Sequence, residues 1–507
     1  MSGAHRKVLT PLVAACCALG ACVLGPTETT DPGTTTVLDG APAGAPDPTT
    51  PPDPSDDATD DTEGETTTTA ADAPTFTGSE GLGDELFPSA GNGGYDVTHY
   101  DLDLDARGTD LVGLARIELV AQPGLEAFSL DLEHLTVTDV SVDARPARFD
   151  HRGTEVWIRP PDPLDGPAVV EVTYQGEPQG VDDTSGLGLL GWIERDWGSF
   201  VVSEPIGAQS WFPSNNHPLD KATFDIEVMV DPGDVAVGPG TLVGVDERDD
   251  GTVWAWSSPH PMATYLASVI TGDLTLVDRP AIGDTAIRHV LPDDEVDALV
   301  PRLDDLYSEM LPRFEEWFGP YPYDTYGIAA VPESLSFAME NQTLSLFSAE
   351  FVSIRSEFVD SIHAHELAHH WFGNAVSPAS WRDIWLNEGF ATWAEMAWLG
   401  GGDPDEMTDV FDDLYGRSDG LGPLTDIGAD ELFGANVYFR GALTIEALRR
   451  AVGDEAFFAF AQEWVERHDD DTASTADFLA LVDEGFGPDV RALMEDWIYD
   501  EEVPAWS

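Results

Sequence analysis

The sequence predicts a multidomain α+β protein, in which an N-terminal antiparallel β domain, a sandwich or a curved saddle, precedes an α-rich domain with a small sheet. From about residue 94 to residue 278, apolar residues alternate with polar ones, as they do in strands with one buried face. After residue 279 the apolar spacing lengthens to three and four residues, which indicates amphipathic helices. The length of 507 residues also exceeds what one hydrophobic core usually organises, so two domains are expected.

Residues 1–21 resemble the signal peptide of a bacterial lipoprotein. Arg6 and Lys7 precede an apolar stretch, residues 8–21, that is too short to span a bilayer comfortably. The stretch ends in Leu-Gly-Ala followed by Cys22, which resembles a lipobox. That resemblance implies cleavage before Cys22, acylation of Cys22, and an extracytoplasmic protein anchored by lipid to the bacterial cell envelope. An ordinary signal peptide and a signal anchor are the alternatives.

Residues 22–93 are predicted to form a disordered acidic tether. This segment is rich in Thr, Pro, Asp, Ala and Gly, and no Lys or Arg occurs between Lys7 and Arg107. It contains too little apolar surface to offset the entropy lost on folding. Mutual repulsion of its carboxylates, together with its prolines, would keep it extended.

Residues 94–278 are predicted to form the N-terminal β domain. Four stretches of alternating apolar residues support this prediction, and clusters of Gly, Pro and Asp separate them. The stretches lie at residues 100–104, 128–132, 170–174 and 224–230.

Residues 279–507 are predicted to form the α-rich domain. Leu303, Met310, Phe314 and Trp317 share one face of a helix that ends near Gly319. A short β stretch is expected within residues 327–348, followed mainly by helices. The predicted helices include residues 358–372, 389–398, 440–451 and 489–499.

The charge of the chain is extreme, with 23 Lys and Arg against 95 Asp and Glu and a net charge of −72. Such a surface repels phosphates, so nucleic-acid binding is excluded as a function. Solubility in a salty medium is the favoured explanation, and attraction of cationic peptides is the alternative. The three cysteines, Cys16, Cys17 and Cys22, all lie near the N-terminus. Any metal in the folded body must therefore be bound by His, Asp or Glu.

The most informative motif is H-E-x-x-H at residues 365–369, in a helical context. Two histidines four residues apart project from one face of a helix, so His365 and His369 can reach one cation. Glu366 lies around the helix from His365 and can act as a base beside the metal. Incidental histidines on a surface helix are the alternative explanation for this motif alone.

A third candidate ligand is Glu388, which eighteen residues separate from His369. Two histidines and one glutamate leave one coordination position for water, as in catalytic zinc sites. We therefore expect one Zn²⁺ per chain, bound by His365, His369 and Glu388.

With this spacing, the chain resembles the gluzincin zinc aminopeptidases of the M1 type, the group of alanyl aminopeptidase and leukotriene hydrolase. Residues 337–341, Phe-Ala-Met-Glu-Asn, resemble their G-x-M-E-N exopeptidase motif. Residues 204–213 resemble their substrate-amine loop, and residues 438–442, Tyr-Phe-Arg-Gly-Ala, resemble their Y-x-[KR]-G-A segment. The resemblance runs from about residue 95 to residue 504 and implies a thermolysin-like catalytic domain.

The resemblance also implies roles for individual residues. Glu366 would take a proton from the attacking water, and Tyr438 would donate a hydrogen bond to the developing oxyanion. Glu204 and Glu340 would bind the free α-ammonium group of a peptide. Ala338, Met339 and Asn341 would complete the substrate-binding segment.

Three positions depart from the family pattern. Phe337 replaces the first Gly of G-x-M-E-N, Gln209 stands where relatives commonly have Arg, and Asn216 stands where many have Asp. These departures bear on substrate selection more than on the metal site. His363 and His370 flank the motif and are interpreted as residues of the helix surface or as supports for the ligands.

Three further residues, Arg382, Asp383 and Asn387, are candidates for orienting the helix that carries Glu388.

Three functions remain open from the sequence. An extracytoplasmic aminopeptidase acting on small or medium peptides is preferred. A zinc endopeptidase or another zinc hydrolase, in which Phe337 remodels the amine-binding end, is the second. A lipid-tethered binding or adhesion protein on a retained peptidase scaffold is the third, and the intact set of site residues argues against it.

Overall fold

The computed structural model describes residues 75–188 and 190–506. The predicted signal peptide, Cys22 and most of the predicted tether lie outside these residues. Among the described residues, no helix has both the length and the apolar composition needed to cross a lipid bilayer.

The first part of the described chain is a β domain with two sheets. Its strands are β1 Phe76–Thr77, β2 Tyr95–Asp105, β3 Leu111–Asp131, β4 Thr136–Val142, β5 Arg145–Pro146, β6 Arg148–Arg152, β7 Glu155–Arg159, β8 Leu164–Gly176, β9 Gly191–Arg195, β10 Gly198–Val202, β11 Ala222–Val230, β12 Val235–Val237, β13 Thr241–Arg248, β14 Gly251–Met262 and β15 Ile270–Gly272. The larger sheet has eleven strands in the order β13-β14-β11-β2-β3-β8-β4-β5, with β1 and β7 paired to β3 and β6 paired to β7. The smaller sheet has the order β12-β15-β10-β9.

The alternating apolar residues of the sequence form the core of this domain. Tyr100, Leu102 and Leu104 of β2 are fully buried, and the polar residues between them face outward or are half-buried. The predicted antiparallel β domain is confirmed, although β2 and β11 are paired in parallel at the centre of the large sheet. Two parallel strands need a long connection between them. Here the connection between β2 and β11 is long and includes the strands β9 and β10 of the smaller sheet.

The second part of the chain is α-rich and carries a small sheet, as predicted. The sheet has the order β16-β17-β18-β19, formed by Thr275–Ile282, Thr285–Leu291, Thr325–Val331 and Ser345–Ser348. The predicted domain boundary between residues 278 and 279 falls inside β16, whose partner β17 pairs with β18. The hairpin therefore belongs with the second domain, and the boundary lies before Thr275. The spacing of apolar residues does not tell which sheet these two strands join.

The helices of the second part agree with the predicted ones to within a few residues. They are Val296–Phe318, Ala349–Ser353, Glu357–Ala368, Trp385–Leu399, Pro404–Tyr415, Gly441–Val452, Asp454–His468, Thr475–Phe486 and Pro488–Tyr499. In the first of them Leu303, Met310, Phe314 and Trp317 are buried, as their spacing predicts. A parallel pair of short strands, β20 Val376–Pro378 and β21 Asp471–Ala473, connects the metal-site region to the last helices.

The predicted tether is too long at its C-terminal end. Residues 75–93 lie within the described chain and pack on the folded body, where β1 pairs with β3. Phe87 and Ala90 are buried in the main core, and Asp84 is 6% exposed. Disorder was predicted from the composition of residues 22–93 as a whole, but a few apolar anchors and a buried carboxylate suffice to fix residues 75–93.

Candidate metal centre

Two of the proposed ligands come from the C-terminal end of the Glu357–Ala368 helix, one from its last turn and one from its C-cap. Ser356 caps its N-terminus, because its hydroxyl accepts a hydrogen bond of 3.1 Å from the backbone N–H of Val359. His365 lies in its last turn, and His369 follows directly, with its N–H donating to the His365 carbonyl. Helical geometry thus places both imidazoles on one side.

The third ligand, Glu388, lies in the first turn of the neighbouring Trp385–Leu399 helix. The rings of Phe372 and Phe390 stack with centroids 4.2 Å apart where the two segments meet. Gly389 permits a second close approach, since a Cβ there would lie 2.9 Å from backbone atoms of Gly441. This glycine therefore lets the Glu388 helix pack against the segment that carries Tyr438.

The three side chains converge on one point. His365 Nε2 lies 3.1 Å from His369 Nε2 and 3.2 Å from a carboxylate oxygen of Glu388, and His369 Nε2 lies 3.5 Å from the same oxygen. Ligand atoms at tetrahedral angles about 2.0–2.2 Å from zinc are roughly 3.3 Å apart, so these separations fit one ion. Among the described residues this is the only cluster of three such ligands.

The outer nitrogen of each imidazole faces an acceptor. His369 Nδ1 lies 3.1 Å from the Phe372 carbonyl, and His365 Nδ1 lies 3.5 Å from a carboxylate oxygen of Glu395. Ser361 donates to the other Glu395 oxygen at 3.0 Å. A hydrogen on each Nδ1 leaves each Nε2 lone pair directed at the shared point.

The electrostatics of the cluster suit a cation. Although burial opposes ionisation, His369 and His365 lower the pKa of Glu388 to about 2, so its carboxylate is charged. Burial disfavours the charged imidazoles, yet Glu388 raises the pKa of both His365 and His369. A proton therefore competes with a metal ion for this site, and metal affinity is expected to fall at low pH.

Glu366 lines the cavity next to the ligands and is buried. Burial raises the pKa of Glu366 to about 8, against the opposing effect of His365 and His369. A cation at the ligand cluster would favour the ionised carboxylate, the form that accepts a proton.

Tyr438 lines the same cavity as His365 and Glu366. It belongs to a π-helical turn, Asn436–Arg440, which precedes the helix Gly441–Val452. Its ring stacks on that of His365 with centroids 5.8 Å apart and an interplanar angle of 17°. Burial and the surrounding glutamates raise the pKa of Tyr438 well above its usual range, so the phenol keeps its proton for donation.

Two more carboxylates face the same region. Glu204 follows β10, and Glu340 lies in the loop between β18 and β19, where Asn374 donates to its backbone carbonyl at 2.7 Å. Both side chains are buried, and the Oε1 atom of each has no hydrogen-bond partner among the described residues. Burial, and then their mutual proximity, raises the pKa of Glu204 well above its usual range. A ligand cation is the natural partner for such a pair.

The rest of the predicted substrate segment is close by. The backbone N–H of Met339 donates to the Leu346 carbonyl at 3.0 Å, and the Met339 carbonyl accepts from the Leu346 N–H at 2.7 Å. The segment therefore runs along β19 at the edge of the small sheet. The side-chain amide of Asn341 is buried without a hydrogen-bond partner in the described chain. Ala338 lines the cavity.

The cavity beside the metal centre opens to solvent. Most of its lining is apolar apart from the site residues. It is lined by Leu335, Ser336, Phe337, Ala338, Phe351, Ile362, His365, Glu366, Thr392, Glu395, Tyr438 and Phe439. Glu204 and Glu340 do not line this cavity.

The structure places the three residues that depart from the family pattern. Phe337 lines the apolar cavity, half-buried. Gln209 donates to Glu133 at 2.9 Å and accepts from the side-chain amide of Asn216 at 3.4 Å. Asn216 accepts from Thr264 at 2.8 Å and donates to the Ile206 carbonyl at 2.9 Å, which fixes the loop just after Glu204.

The flanking histidines are not on the surface of the helix. His363 and His370 are fully buried. His363 Nδ1 lies 2.8 Å from the Tyr307 hydroxyl, and His370 Nε2 accepts from the backbone N–H of Thr343 at 3.1 Å. Both support the segment that carries the ligands from within the protein, where residues 363–370 are all buried.

The candidates for orienting the Glu388 helix are also placed. Asp383 accepts from the N–H and hydroxyl of Thr475 at 2.8 and 2.7 Å. Asn387 donates to the Tyr265 hydroxyl at 3.4 Å. Arg382 forms an ion pair of 2.6 Å with Glu85.

Two supporting residues were missed from the sequence. Glu395 follows Glu388 by seven residues, two helical turns on the same face, and that spacing could have indicated it. Tyr265 donates to the Gly373 carbonyl at 2.9 Å, and nothing in the sequence indicates this long-range contact.

Comparison with known families gives two matches. Residues 96–266 match the Peptidase M1 N-terminal domain, and residues 304–497 match the Peptidase family M1 domain. Among solved structures, the M1 zinc metallopeptidase from Deinococcus radiodurans is 31% identical, with a TM-score of 0.77. The match covers 84% of this chain and 99% of that one.

Longer curated relatives are also similar. Aminopeptidase M1-A of Oryza sativa subsp. japonica is 31% identical over 324 residues, which are 59% of this chain and 37% of that protein. Human endoplasmic reticulum aminopeptidase 1 is 26% identical over 420 residues, which are 73% of this chain and 43% of that protein. The chain therefore spans less than half the length of these relatives.

Proposed function

The chain belongs to the M1 peptidase family, and on that basis we propose that it is a zinc aminopeptidase that removes N-terminal residues from peptides. One observation carries the proposal: the ligand cluster His365, His369 and Glu388 shares its surroundings with two buried carboxylates, Glu204 and Glu340, each of which has an oxygen without a hydrogen-bond partner in the described part of the chain. A metal centre alone indicates a hydrolase. The carboxylate pair adds a reason for the enzyme to act at a free amino terminus.

The residues divide the chemistry between them. Zinc, when bound, supplies a Lewis acid that polarises the scissile carbonyl and acidifies a water molecule. Glu366 accepts the proton of that water and can pass it to the leaving amine. Tyr438 donates a hydrogen bond to the oxygen on which negative charge develops.

Glu204 and Glu340 set where the substrate is cut. A free α-ammonium group placed between their carboxylates relieves two buried, unpartnered acceptors. The ammonium position then fixes which carbonyl lies at the metal centre, so one residue is released at a time. An acetylated amino terminus has no such charge and leaves both carboxylates unpaired.

Peptides are the proposed substrate class. A structure of the Deinococcus radiodurans enzyme carries a Tyr-Ser-Ala substrate, and that protein is 31% identical to this chain. The apolar cavity next to Tyr438 adjoins the metal centre, so peptides with an apolar side chain beside the scissile bond are expected to suit it.

Matched peptides test the proposal. Zinc-loaded protein is incubated with a peptide and its acetylated copy, and the products are followed by mass spectrometry, with a chelator-treated sample as control. We expect stepwise loss of N-terminal residues from the free peptide only. Equal internal cleavage of both peptides would support a zinc endopeptidase instead, and no cleavage of any peptide in a broad panel would support a binding protein.

We also propose that the protein is a lipoprotein of the bacterial cell envelope, anchored through Cys22. The support is the lipobox-like sequence before Cys22 and its basic and apolar flanks. In a bacterial host, wild-type protein is expected in the membrane fraction with a mass increased by acyl chains. Cys22→Ser should lose both properties while the control Cys17→Ser keeps them. Equal partition of the two variants would contradict the anchor.

A further inference from the structure

A short segment before the family domains connects the β domain to the metal site. Residues 78–93, here called the strap, precede residue 96, where the family match begins. At one end Gly78 donates to the Ala127 carbonyl at 2.8 Å. At the other end the Asn92 amide donates to Asp131 at 3.1 Å. Both ends of the strap are thus fixed to the β domain.

The middle of the strap reaches the α-rich domain through Asp84. One carboxylate oxygen accepts from the backbone N–H groups of Leu86 and Phe87 at 2.8 and 2.9 Å, which closes a turn within the strap. The other oxygen accepts from the N–H of Trp381 at 2.8 Å and from the hydroxyl of Ser380 at 3.1 Å. Every contact on that second oxygen therefore leaves the strap.

His217 adds a third contact to the second oxygen. Its Nδ1 accepts from the backbone N–H of Leu219 at 3.1 Å, so its hydrogen is on Nε2, which lies 3.4 Å from Asp84. Although burial opposes ionisation, His217 and the backbone N–H groups hold the pKa of Asp84 well below its usual range. Asp84 is therefore a charged, fully occupied acceptor at any working pH.

The contacts of Asp84 lead directly to a metal ligand. Trp381 begins a short 3₁₀ turn, Trp381–Asp383, and the next residue, Ile384, caps the helix that carries Glu388. The backbone N–H of Glu388 donates to the Ile384 carbonyl at 3.0 Å. The position of this turn therefore sets the start of the helix, and Glu388 lies in its first turn.

Ring packing holds the same turn from both sides. The Trp381 ring contacts Phe87 of the strap, with centroids 5.9 Å apart, and Tyr265 of the β domain, with centroids 5.2 Å apart. Tyr265 in turn donates to the Gly373 carbonyl just after the histidine ligands. The turn that begins at Trp381 therefore packs against the strap through Phe87 and against the β domain through Tyr265.

We propose that Asp84 is a positioning residue for the metal ligand Glu388, acting through the N–H of Trp381 and the hydroxyl of Ser380. The strap is then part of the enzyme and not the end of a spacer. This inference rests on the proposed metal site but makes a separate claim about it: the affinity for zinc depends on a carboxylate that touches neither the metal nor the substrate.

Asp84→Asn tests the claim with little change of volume. An asparagine can keep one acceptor oxygen for the turn within the strap, but its NH₂ group then faces the N–H of Trp381. Glu80→Gln is the matched control, since Glu80 is a strap acid whose carboxylate accepts from Trp157 of the β domain at 3.0 Å. Zinc affinity is measured by competition with a chromophoric chelator, which requires no activity.

We expect Asp84→Asn to weaken zinc binding about tenfold, the lower range for groups that support metal ligands, and Glu80→Gln to leave it within about twofold of wild type. At saturating zinc, KM should stay unchanged because Glu204 and Glu340 are untouched, whereas kcat should fall several-fold.

Ser380→Ala is the second variant, should Asp84→Asn fail to fold. It removes one of the two hydrogen bonds between the strap and the turn, and an intermediate loss of zinc affinity is expected. Wild-type zinc affinity in Asp84→Asn or, failing that, in Ser380→Ala would overturn the inference and leave the proposed function intact. A wild-type protein that binds no zinc would instead contradict the proposed function itself.

Discussion

Glu366 combines two requirements that conflict in most surroundings. It is buried, which raises its pKa to about 8, and it must be ionised to accept a proton. Its place one residue after His365 resolves the conflict, because a cation on His365 favours the charged carboxylate without binding it. Glu366 is therefore expected to act as a base only when the metal is bound.

Glu366→Gln should separate metal binding from turnover. The amide keeps the volume of the side chain and removes its basic oxygen, so zinc content should remain at about one per chain while kcat falls by about 10³-fold or more. Zinc is measured by elemental analysis and kcat with an aminoacyl reporter substrate. Activity near the wild-type level would reject Glu366 as the base.

Tyr438→Phe should act on the transition state alone. The ring still stacks on His365, but the hydroxyl that donates to the developing oxyanion is lost. We expect kcat to fall by about 10²–10³-fold with little change in KM, as for other removed oxyanion donors. A large rise in KM with unchanged kcat would instead make Tyr438 a substrate-binding residue.

At the residue scale, the sequence was sufficient to predict a site residue wherever the spacing along a helix alone decides the geometry. His365 and His369 had to share a face of their helix, and the structure brings Glu388 to both. Asp84 could not be found this way, because its partners Ser380 and Trp381 are distant in sequence and composition made its segment resemble a linker. The same limit applies to Tyr265.

At the scale of elements, two strands of the β domain hold a pair of buried acids. Asp131 ends β3 and is paired in register with Glu155, which begins β7. Burial raises the pKa of Glu155 to about 7, and Glu80 adds to this effect while Ser129 opposes it. Burial, followed by Glu155, raises the pKa of Asp131. Between pH 4.5 and about pH 7, Glu155 therefore keeps its proton in the folded protein and loses it in the unfolded chain.

Because Glu155 is protonated in the folded state, the free energy of unfolding is expected to fall as the pH rises. The unfolded Glu155 releases its proton near pH 4.5 and the folded one near pH 7, so unfolding becomes easier across that interval and the loss is complete above it. Glu155→Gln mimics the protonated acid and should raise the free energy of unfolding at pH 8 by at least about 1 kcal/mol, with little effect at pH 5.

Urea unfolding at the two pH values measures this effect. Glu227→Gln on the exposed face of β11 is the control and should change the midpoint little at either pH. A Glu155→Gln variant less stable than wild type at pH 8 would show that the acid is held there in its charged form.

Two boundaries show what patterns of apolar residues cannot specify. The hairpin of β16 and β17 follows the β domain directly in the chain, yet it extends the sheet of the second domain. Alternation reports a half-buried strand and says nothing about its partner. The strap was assigned to the tether for a related reason, since composition averages over a segment whose anchors are few.

At the scale of the whole molecule, charge is the dominant feature. The chain carries 95 acidic and 23 basic residues, so its carboxylates repel each other at low ionic strength. Several described acids form ion pairs with arginines, but the basic residues are too few to neutralise the rest. The folded state, which brings these charges together, is therefore expected to depend on screening.

Raising NaCl from 0.1 M to 1 M should raise the unfolding temperature by about 5 °C or more, because the screening length falls from about 10 Å to about 3 Å. Differential scanning calorimetry on zinc-loaded protein measures the shift, and KCl in place of NaCl should give the same result. A midpoint that is unchanged or lower at high salt would contradict the view that self-repulsion limits stability.

The central claim is that one zinc ion is bound by His365, His369 and Glu388, and anomalous diffraction at the zinc absorption edge tests it most directly. Crystals of zinc-loaded protein should show a single strong peak about 2.0–2.2 Å from Nε2 of both histidines and from a carboxylate oxygen of Glu388. A peak elsewhere, or none at this site, would contradict the account.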